Sequence, residues 1–267
     1  MKKTSGLLYI ILFLAGLGLL GVLYHVYSVP VLMYHSIDGD AYKSRLSVTP
    51  ESFQRQMRFL KENKYRILTL SEYVDLLKLK KKPRQRSVVI TFDDGFESNY
   101  TDAYPTLKEY NIPATIFVVA NWVGEPGMMS WEQIKEISDT ELIEIGSHTL
   151  DHNELTKIRK DEARRQVKDS KMFLAEKLHK KINFLCYPCG SFDGFIRSLT
   201  ELSGYKGACA THPGGEWPLD DEFAIRRIRI SRSADNMIVF WAQVSGYYSI
   251  FKDRKIENKK NEENTCY

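Results

Sequence analysis

Ser87-Val88-Val89-Ile90-Thr91-Phe92-Asp93-Asp94-Gly95 is an apolar, β-branched run closed by two adjacent carboxylates and a glycine. Ser87 to Phe92 reads as a strand, and what flanks it repeats the pattern. Downstream, Tyr104 to Tyr110 reads as a helix and Ala114 to Ala120 as a second β-branched strand. Ser130 caps a helix through Ile137, Leu142 to Gly146 is a strand, and a long helix runs from Asp161 to about His179. Phe184 to Tyr187, a helix from Phe195 to Ser203, a strand around Ala208, a strand over Ile225 to Ile230 and a helix over Asn236 to Val244 complete the series. Upstream, Val29-Pro30-Val31-Leu32-Met33-Tyr34-His35 is a short strand ending at a histidine. Thr49-Pro50-Glu51-Ser52 supplies a cap, a proline at the first helical position and an acidic first turn. The helix it opens carries Phe53, Met57, Phe59 and Leu60 on one side. Ile67 to Leu70 reads as a further strand, with Ser71 capping a helix through Leu79. The basic connector Lys78 to Arg86 reads as a solvated turn. Strands alternating with helices imply parallel pairing through right-handed crossovers, and about seven units predict an α/β fold of distorted (β/α)7-barrel type.

Composition narrows the function. Hydrophobic residues make up 43% and charged residues 27% of the 267, as in ordinary globular proteins. The formal net charge of +4 is mild, so no nucleic-acid partner is expected. Leu7 to Tyr27 carries no charge if His25 is neutral, and about 20 apolar residues span a bilayer as a helix. Lys2 and Lys3 precede it, which orients the N-terminus to the cytoplasm and everything after Tyr27 outside. No small-x-small pair sits well at the end of the run, so an uncleaved single-pass signal anchor is favoured over a cleaved signal peptide. The expected organisation is an anchor over 1–28, one folded domain over 29–250, and a polar, disordered tail over 251–267. Four cysteines, Cys186, Cys189, Cys209 and Cys266, are too few and too unevenly placed for a disulfide scaffold. A Cys186–Cys209 or a Cys189–Cys209 bridge stays open outside the cytoplasm.

The chemistry lies at the ends of the strands. Chemistry in such barrels sits at the C-terminal ends of the strands, and Asp93-Asp94, His148, the Pro188 loop and His35 each follow a strand directly. In His148-Thr149-Leu150-Asp151-His152 the two histidines are spaced i, i+4, which on one face of a helical turn would let both imidazoles converge on one ion. One carboxylate and two imidazoles fill three positions around a divalent ion, and the second carboxylate is left to handle a proton. The pattern is that of a metal hydrolase.

Taken together these residues resemble a family. Thr91-Phe92-Asp93-Asp94-Gly95, His148-Thr149-Leu150-Asp151-His152 and Tyr187-Pro188-Cys189-Gly190 look like the first three motifs of the polysaccharide deacetylases, carbohydrate esterase family four. The likeness covers about Val29 to Gly246, and Ile112-Pro113-Ala114-Thr115-Ile116-Phe117 adds to it. Val31-Leu32-Met33-Tyr34-His35 ahead of the first motif is similar to the subgroup that de-N-acetylates poly-β-1,6-N-acetylglucosamine, in which the motif holding the general acid is permuted to the N-terminus. The resemblance implies Asp94, His148 and His152 as ligands of one divalent ion, zinc first, with cobalt, nickel or manganese also fitting such a set. It implies Asp93 as general base, and the backbone N–H of Cys189 as oxyanion donor in a loop shaped by Pro188 and Gly190. His35 is the expected general acid and His212 its rival. Of Tyr34, Phe96, Tyr100, Trp122, Trp131 and Trp217, at most two are expected to line a sugar groove, and Tyr100 is our choice as a substrate contact. The family's third motif opens with an arginine that orients the base, whereas Cys186 stands at about that position here. The expected activity is N-deacetylation of an N-acetylated polysaccharide by a monomeric, membrane-anchored enzyme with its catalytic domain outside the cell membrane. The alternatives are deacetylation of peptidoglycan or another acylated glycan, and a catalytically weak glycan-binding homologue.

Overall fold

The structure is a computed structural model and describes residues 3–39, 46–211, 218 and 220–248, with side chains from residue 9. The 251–267 tail, His212 and Trp217 lie outside the described residues.

The strands are β1 (Val31–Tyr34), β2 (Arg66–Leu68), β3 (Ser87–Phe92), β4 (Ala114–Val118), β5 (Ile143–Ser147), β6 (Phe184–Cys186), β7 (Gly207–Cys209) and β8 (Ile228–Arg229). The helices are α1 (Lys3–Val26), α2 (Pro50–Glu62), α3 (Leu70–Lys78), α4 (Tyr104–Glu109), α5 (Trp131–Ser138), α6 (Lys160–Leu178), α7 (Gly194–Leu202) and α8 (Met237–Val244). The order across the sheet is β7-β6-β5-β4-β3-β1-β8, with β2 also on β3, and every pairing is parallel. The expected barrel type is present as a curled parallel sheet. A lone parallel bridge, Cys209 to Ile225, links the two ends of the curl, since the strand expected over Ile225 to Ile230 is reduced to Ile228–Arg229.

All six residues of β3 are buried, as a strand covered on both faces must be. Val88, Ile90 and Phe92 join a large cluster with Phe53, Leu107, Ile134 and Val167 of the surrounding helices. Val89 joins a smaller cluster with Val31, Phe117, Phe184, Cys186 and Cys209. Side chains alternate along a strand, so Val89, Thr91 and Asp93 face the inside of the curl together. The period of two therefore aims Asp93 inward.

The caps on α2 and α5 form as read: Thr49 accepts from the Ser52 N–H, and Ser130 makes a full capping box with Gln133. For α3 the cap is Thr69, two residues before the expected Ser71, because Glu72 closes a capping box back onto Thr69. A π-turn over Asn99–Ala103 precedes α4. Cys186 and Cys209 are both free and buried, so neither bridge involving Cys209 forms. Within α1, Tyr9–Val26 has a mean hydropathy of 2.1 with none of it buried, long and apolar enough to cross a membrane by length and composition.

Candidate active site

Four strand ends, those of β1, β3, β5 and β6, deliver the site. β3 ends at Asp93 and Asp94, and Asp94 (φ 73) and Gly95 (φ 83) both turn left-handed. At Gly95 the left-handed backbone is what favours glycine, since a side chain there would meet Val118 only at ordinary contact distance. β5 ends at Ser147 and runs into His148. Here the expectation of a helical turn fails: His148 to His152 is an irregular loop, with Thr149 (φ 70) and His152 (φ 60) both left-handed. Side chains replace the missing helical hydrogen bonds. Gln166 of α6 accepts from the Leu150 and Asp151 N–H groups, and Thr149 Oγ1 accepts from the His152 N–H at 3.1 Å. Asn121 and Gln166 both donate to the Asp151 carboxylate. The two imidazoles still converge, their rings T-shaped with centroids 4.7 Å apart. Among the described residues, four of the eight non-glycines with positive φ, Asp94, Thr149, His152 and Cys189, belong to these loops. Backbone strain is concentrated where side chains must be aimed.

The two neighbouring carboxylates have opposite surroundings. Asp94 has both oxygens buried with no hydrogen-bond partner. His148 Nε2 and His152 Nε2 each lie 3.5 Å from its Oδ1. Two ligands held ~2.1 Å from a tetrahedral ion stand about 3.4 Å from each other, so this spacing fits a divalent cation better than it fits hydrogen bonds. A buried carboxylate without a donor is costly unless a cation accompanies it. Burial first, then the Asp93 charge beside it, pushes Asp94 up to about 8 without such an ion. His148 donates from Nδ1 to the Cys186 carbonyl at 2.8 Å, which fixes the tautomer and turns Nε2 toward Asp94. Burial lowers His148 to about 3 and lowers His152 as well, so both are neutral and ready to ligate. Asp94, His148 and His152 therefore fit a divalent metal.

Asp93, by contrast, is clamped. Arg227, the largest of the fully buried side chains, donates from Nη1 to Asp93 Oδ1 at 2.6 Å and from Nη2 to Oδ2 at 2.7 Å. It is held in turn by Thr91 Oγ1 at 3.1 Å and the Ala210 carbonyl at 3.2 Å, and Nη2 lies 2.9 Å from Cys186 Sγ. Burial alone would raise the Asp93 carboxyl. The guanidinium, with help from His148 and His35, overrides burial and holds it well below the usual carboxylate range. Arg227 is the residue that sequence reasoning missed. The arginine expected in the third motif is replaced by one from the segment leading into β8, which reaches across the interior to the Cys186 thiol. The signal was Ile225-Arg226-Arg227-Ile228-Arg229-Ile230, three cations set among isoleucines, and of the three Arg227 alone is buried.

His35 follows β1 directly. Its ring is half-buried with Nδ1 buried and unpartnered, and its carbonyl accepts from Asn99 Nδ2. Burial, opposed by Asp93, lowers it to about 4. It lines a groove of about 460 Å³ with Asp94, Phe96, Glu97, Ser98 and Thr101. The Pro188–Gly190 turn follows β6, with Cys189 at φ 56. Tyr100 is not brought to this cluster, since its hydroxyl bonds Glu136 of α5 at 2.7 Å. Phe96, from the same segment, is the aromatic in the groove, and Trp122 lies 5.3 Å from the His152 ring. Tyr34 and Trp131 pack into the body of the fold against Phe92 and Phe173.

Similarity to known proteins agrees with this arrangement. A family model described as polysaccharide deacetylase matches residues 80–208. A putative polysaccharide deacetylase, YxkH, of Bacillus subtilis (strain 168) is 36% identical over 203 residues, 76% of this chain and 71% of the relative. The chain belongs to the polysaccharide deacetylase family. It is a hydrolase of amide bonds in polysaccharides, as the family is. The poly-beta-1,6-N-acetyl-D-glucosamine N-deacetylase of Staphylococcus aureus (strain MRSA252) is 32% identical over 209 residues, 73% of this chain and 72% of that protein. Among solved structures, IcaB from Ammonifex degensii aligns with a TM-score of 0.71 at 27% identity, covering 81% of this chain and 97% of that one. Metal dependence is general in this family, and Asp94, His148 and His152 bring three ligand atoms within 4.8 Å of one another, as one ion would need.

Proposed function

We propose that the chain is a metal-dependent N-deacetylase of a poly-N-acetylglucosamine-type exopolysaccharide, anchored in the cell membrane by α1 with its domain outside. The observation that carries the reading is the opposed treatment of two adjacent aspartates: Asp93 held ionised and oriented by Arg227, Asp94 bare and facing two imidazoles. A divalent ion on Asp94, His148 and His152, zinc by preference, supplies a Lewis-acid charge that acidifies water and polarises the acetamide carbonyl.

The chain's own groups do the rest. Asp93 takes a proton from water as its oxygen adds to the acetamide carbon. Because Arg227 uses both Asp93 oxygens, the carboxylate cannot rotate away. The backbone N–H of Cys189 donates to the oxygen that becomes negative. When the C–N bond breaks, the nitrogen needs a proton, and His35 delivers it. A ring lowered to about 4 rests neutral at neutral pH, so the proton it delivers is one acquired within the cycle, matching the one Asp93 accepted. The products are acetate and a glucosamine unit. The relative from Staphylococcus aureus that carries the poly-β-1,6-N-acetylglucosamine name supports that polymer over peptidoglycan as substrate.

Acetate release from a panel of acetylated glycans tests the reading. The expected result is release from poly-β-1,6-N-acetylglucosamine above the other glycans, lost on chelation and restored by added zinc. Asp93→Asn should lower turnover by roughly 10²–10⁴, the range for losing a proton-transfer group. Activity that survives chelation would sink the mechanism, and preference for peptidoglycan would sink the substrate assignment.

A further inference from the structure

The end of the barrel opposite the active site has its own chemistry. α1 does not dangle from the domain. Lys82 donates to the carbonyls of Tyr24, His25 and Tyr27 at 2.8, 2.5 and 2.9 Å, closing the C-terminal end of α1. Tyr27 exchanges hydrogen bonds with Ser87, the first residue of β3, and the Ser28 N–H donates to the Gly246 carbonyl at 3.0 Å. Gly246 is at φ 85, and a side chain there would strike the Tyr27 ring, so the fit needs glycine. The basic connector read as a solvated turn is therefore bolted to the foot of the apolar helix. Between Lys78 and Arg86 it carries six cations and no acid.

Lengths leave no slack. α1 has 24 residues, about 36 Å at the helical rise, against a hydrocarbon core of ~30 Å. The domain begins at once, with β1 starting at Val31. If α1 spans the bilayer, the foot of the barrel must rest on the outer leaflet. At that level is a groove of about 610 Å³, into which Tyr24, Trp241, Tyr247, Tyr248, Arg84 and Arg86 project, with no acidic residue in its lining. Arg84 and Arg86 are exposed. Trp241 and Ile238, one turn apart on α8, are 53% and 74% exposed, although core residues of their helix are fully covered. Aromatic residues beside arginines are what a lipid–water interface selects, and the volume is that of an ordinary small-ligand site.

We propose that this groove binds the phosphate headgroup of an anionic phospholipid, docking the foot of the barrel on the membrane. The inference rests on the reading of α1 as an anchor and adds an orientation to it. α1 joins the starts of β1 and β3, and the catalytic residues follow their ends. Docking therefore points the active site away from the bilayer, by about 20 Å for the six residues of β3.

The test uses the full chain in vesicles of phosphatidylcholine alone or mixed with phosphatidylglycerol, with and without brominated acyl chains. Subtracting the Trp241→Phe variant isolates the emission of Trp241. We expect bromolipid quenching of Trp241 when phosphatidylglycerol is present. In Arg84→Gln/Arg86→Gln we expect docking weakened roughly 30-fold, at about 1 kcal/mol per surface cation, while deacetylation of a short soluble substrate is unchanged. Quenching indifferent to phosphatidylglycerol and to both arginines would overturn the headgroup site. An unquenched Trp241 in a vesicle-bound chain, including one crosslinked to a second copy over this face, would overturn docking itself. A chain that leaves the vesicles in alkaline carbonate would refute the anchor reading, before any fluorescence is read.

Discussion

The two ends of this barrel place opposite demands on the same strands. At the C-terminal ends, side chains are buried, charged and aimed by strained backbone, and one carboxylate pair is split between a guanidinium and a metal-ready cluster. At the N-terminal ends, aromatic and basic groups lie open around the foot of an apolar helix, and their hydrogen bonds run mostly to backbone carbonyls. Burial makes the first end unforgiving. A charge there is held by low-dielectric partners, so removing one partner strands the other. Exposure makes the second end tolerant, because water substitutes for what is lost.

The contrast is broken most severely at Arg227. Arg227→Ala leaves Asp93 buried without its counter-charge, and we expect a loss of about 3–5 kcal/mol in stability together with turnover near that of Asp93→Asn. Urea unfolding and acetate release measure the two. Adding Asp93→Asn to Arg227→Ala should return part of the stability and none of the activity. A single variant as stable as the wild type would mean that the clamp does not hold Asp93. The next effect is at His35. His35→Gln should lower turnover by roughly 10²–10³ with bound metal unchanged, as elemental analysis would report. His212→Gln should leave turnover near normal. The reverse pattern would move the acid to His212.

How much of this was legible follows from where each constraint comes from. Ser87 to Gly95 gave β3, its parallel neighbours and the placement of Asp93-Asp94, because burial on both faces and a period of two are local properties of the string. The paired histidines were legible as a pair but not as a loop. An i, i+4 spacing is compatible with any backbone that brings two rings together, and here Gln166, eighteen and fourteen residues from the histidines in sequence, sets the backbone instead. Arg227 was invisible for a different reason. Its partner Asp93 is 134 residues away, and nothing local in either segment names the other. The absent arginine at Cys186 was correctly read as a gap, and only the three-dimensional curl reveals that the gap is filled from the far end of the chain. With Asp93 held in this way, the missing motif arginine no longer argues for a glycan-binding homologue without turnover. The basic connector is the solvated turn that a charge run usually makes, and what stayed hidden is the contact that docks it, because the helix end that Lys82 closes lies 55 to 58 residues away.

The smallest effect belongs to that connector, and it sharpens the comparison best because a null result at one readout is the expectation. Lys82→Met removes the cation from the last carbonyls of α1 while keeping most of the apolar stem. A cation at a helix C-terminus contributes about 0.3–1 kcal/mol at an exposed position, and two of the three contacts run to an exposed stretch. We therefore expect a stability loss within that range, unchanged turnover on a short soluble substrate, and faster proteolysis in the link between Tyr27 and Val31, where the clamp no longer holds the helix to the domain. Proteolysis should quicken further with Gly246→Ala, which pushes the Tyr27 ring off its seat. If Lys82→Met instead lowers turnover as far as His35→Gln does, the two ends of the barrel are coupled through β1 and β3, and the foot takes part in aiming His35 and Asp93 as well as in holding α1 to the domain.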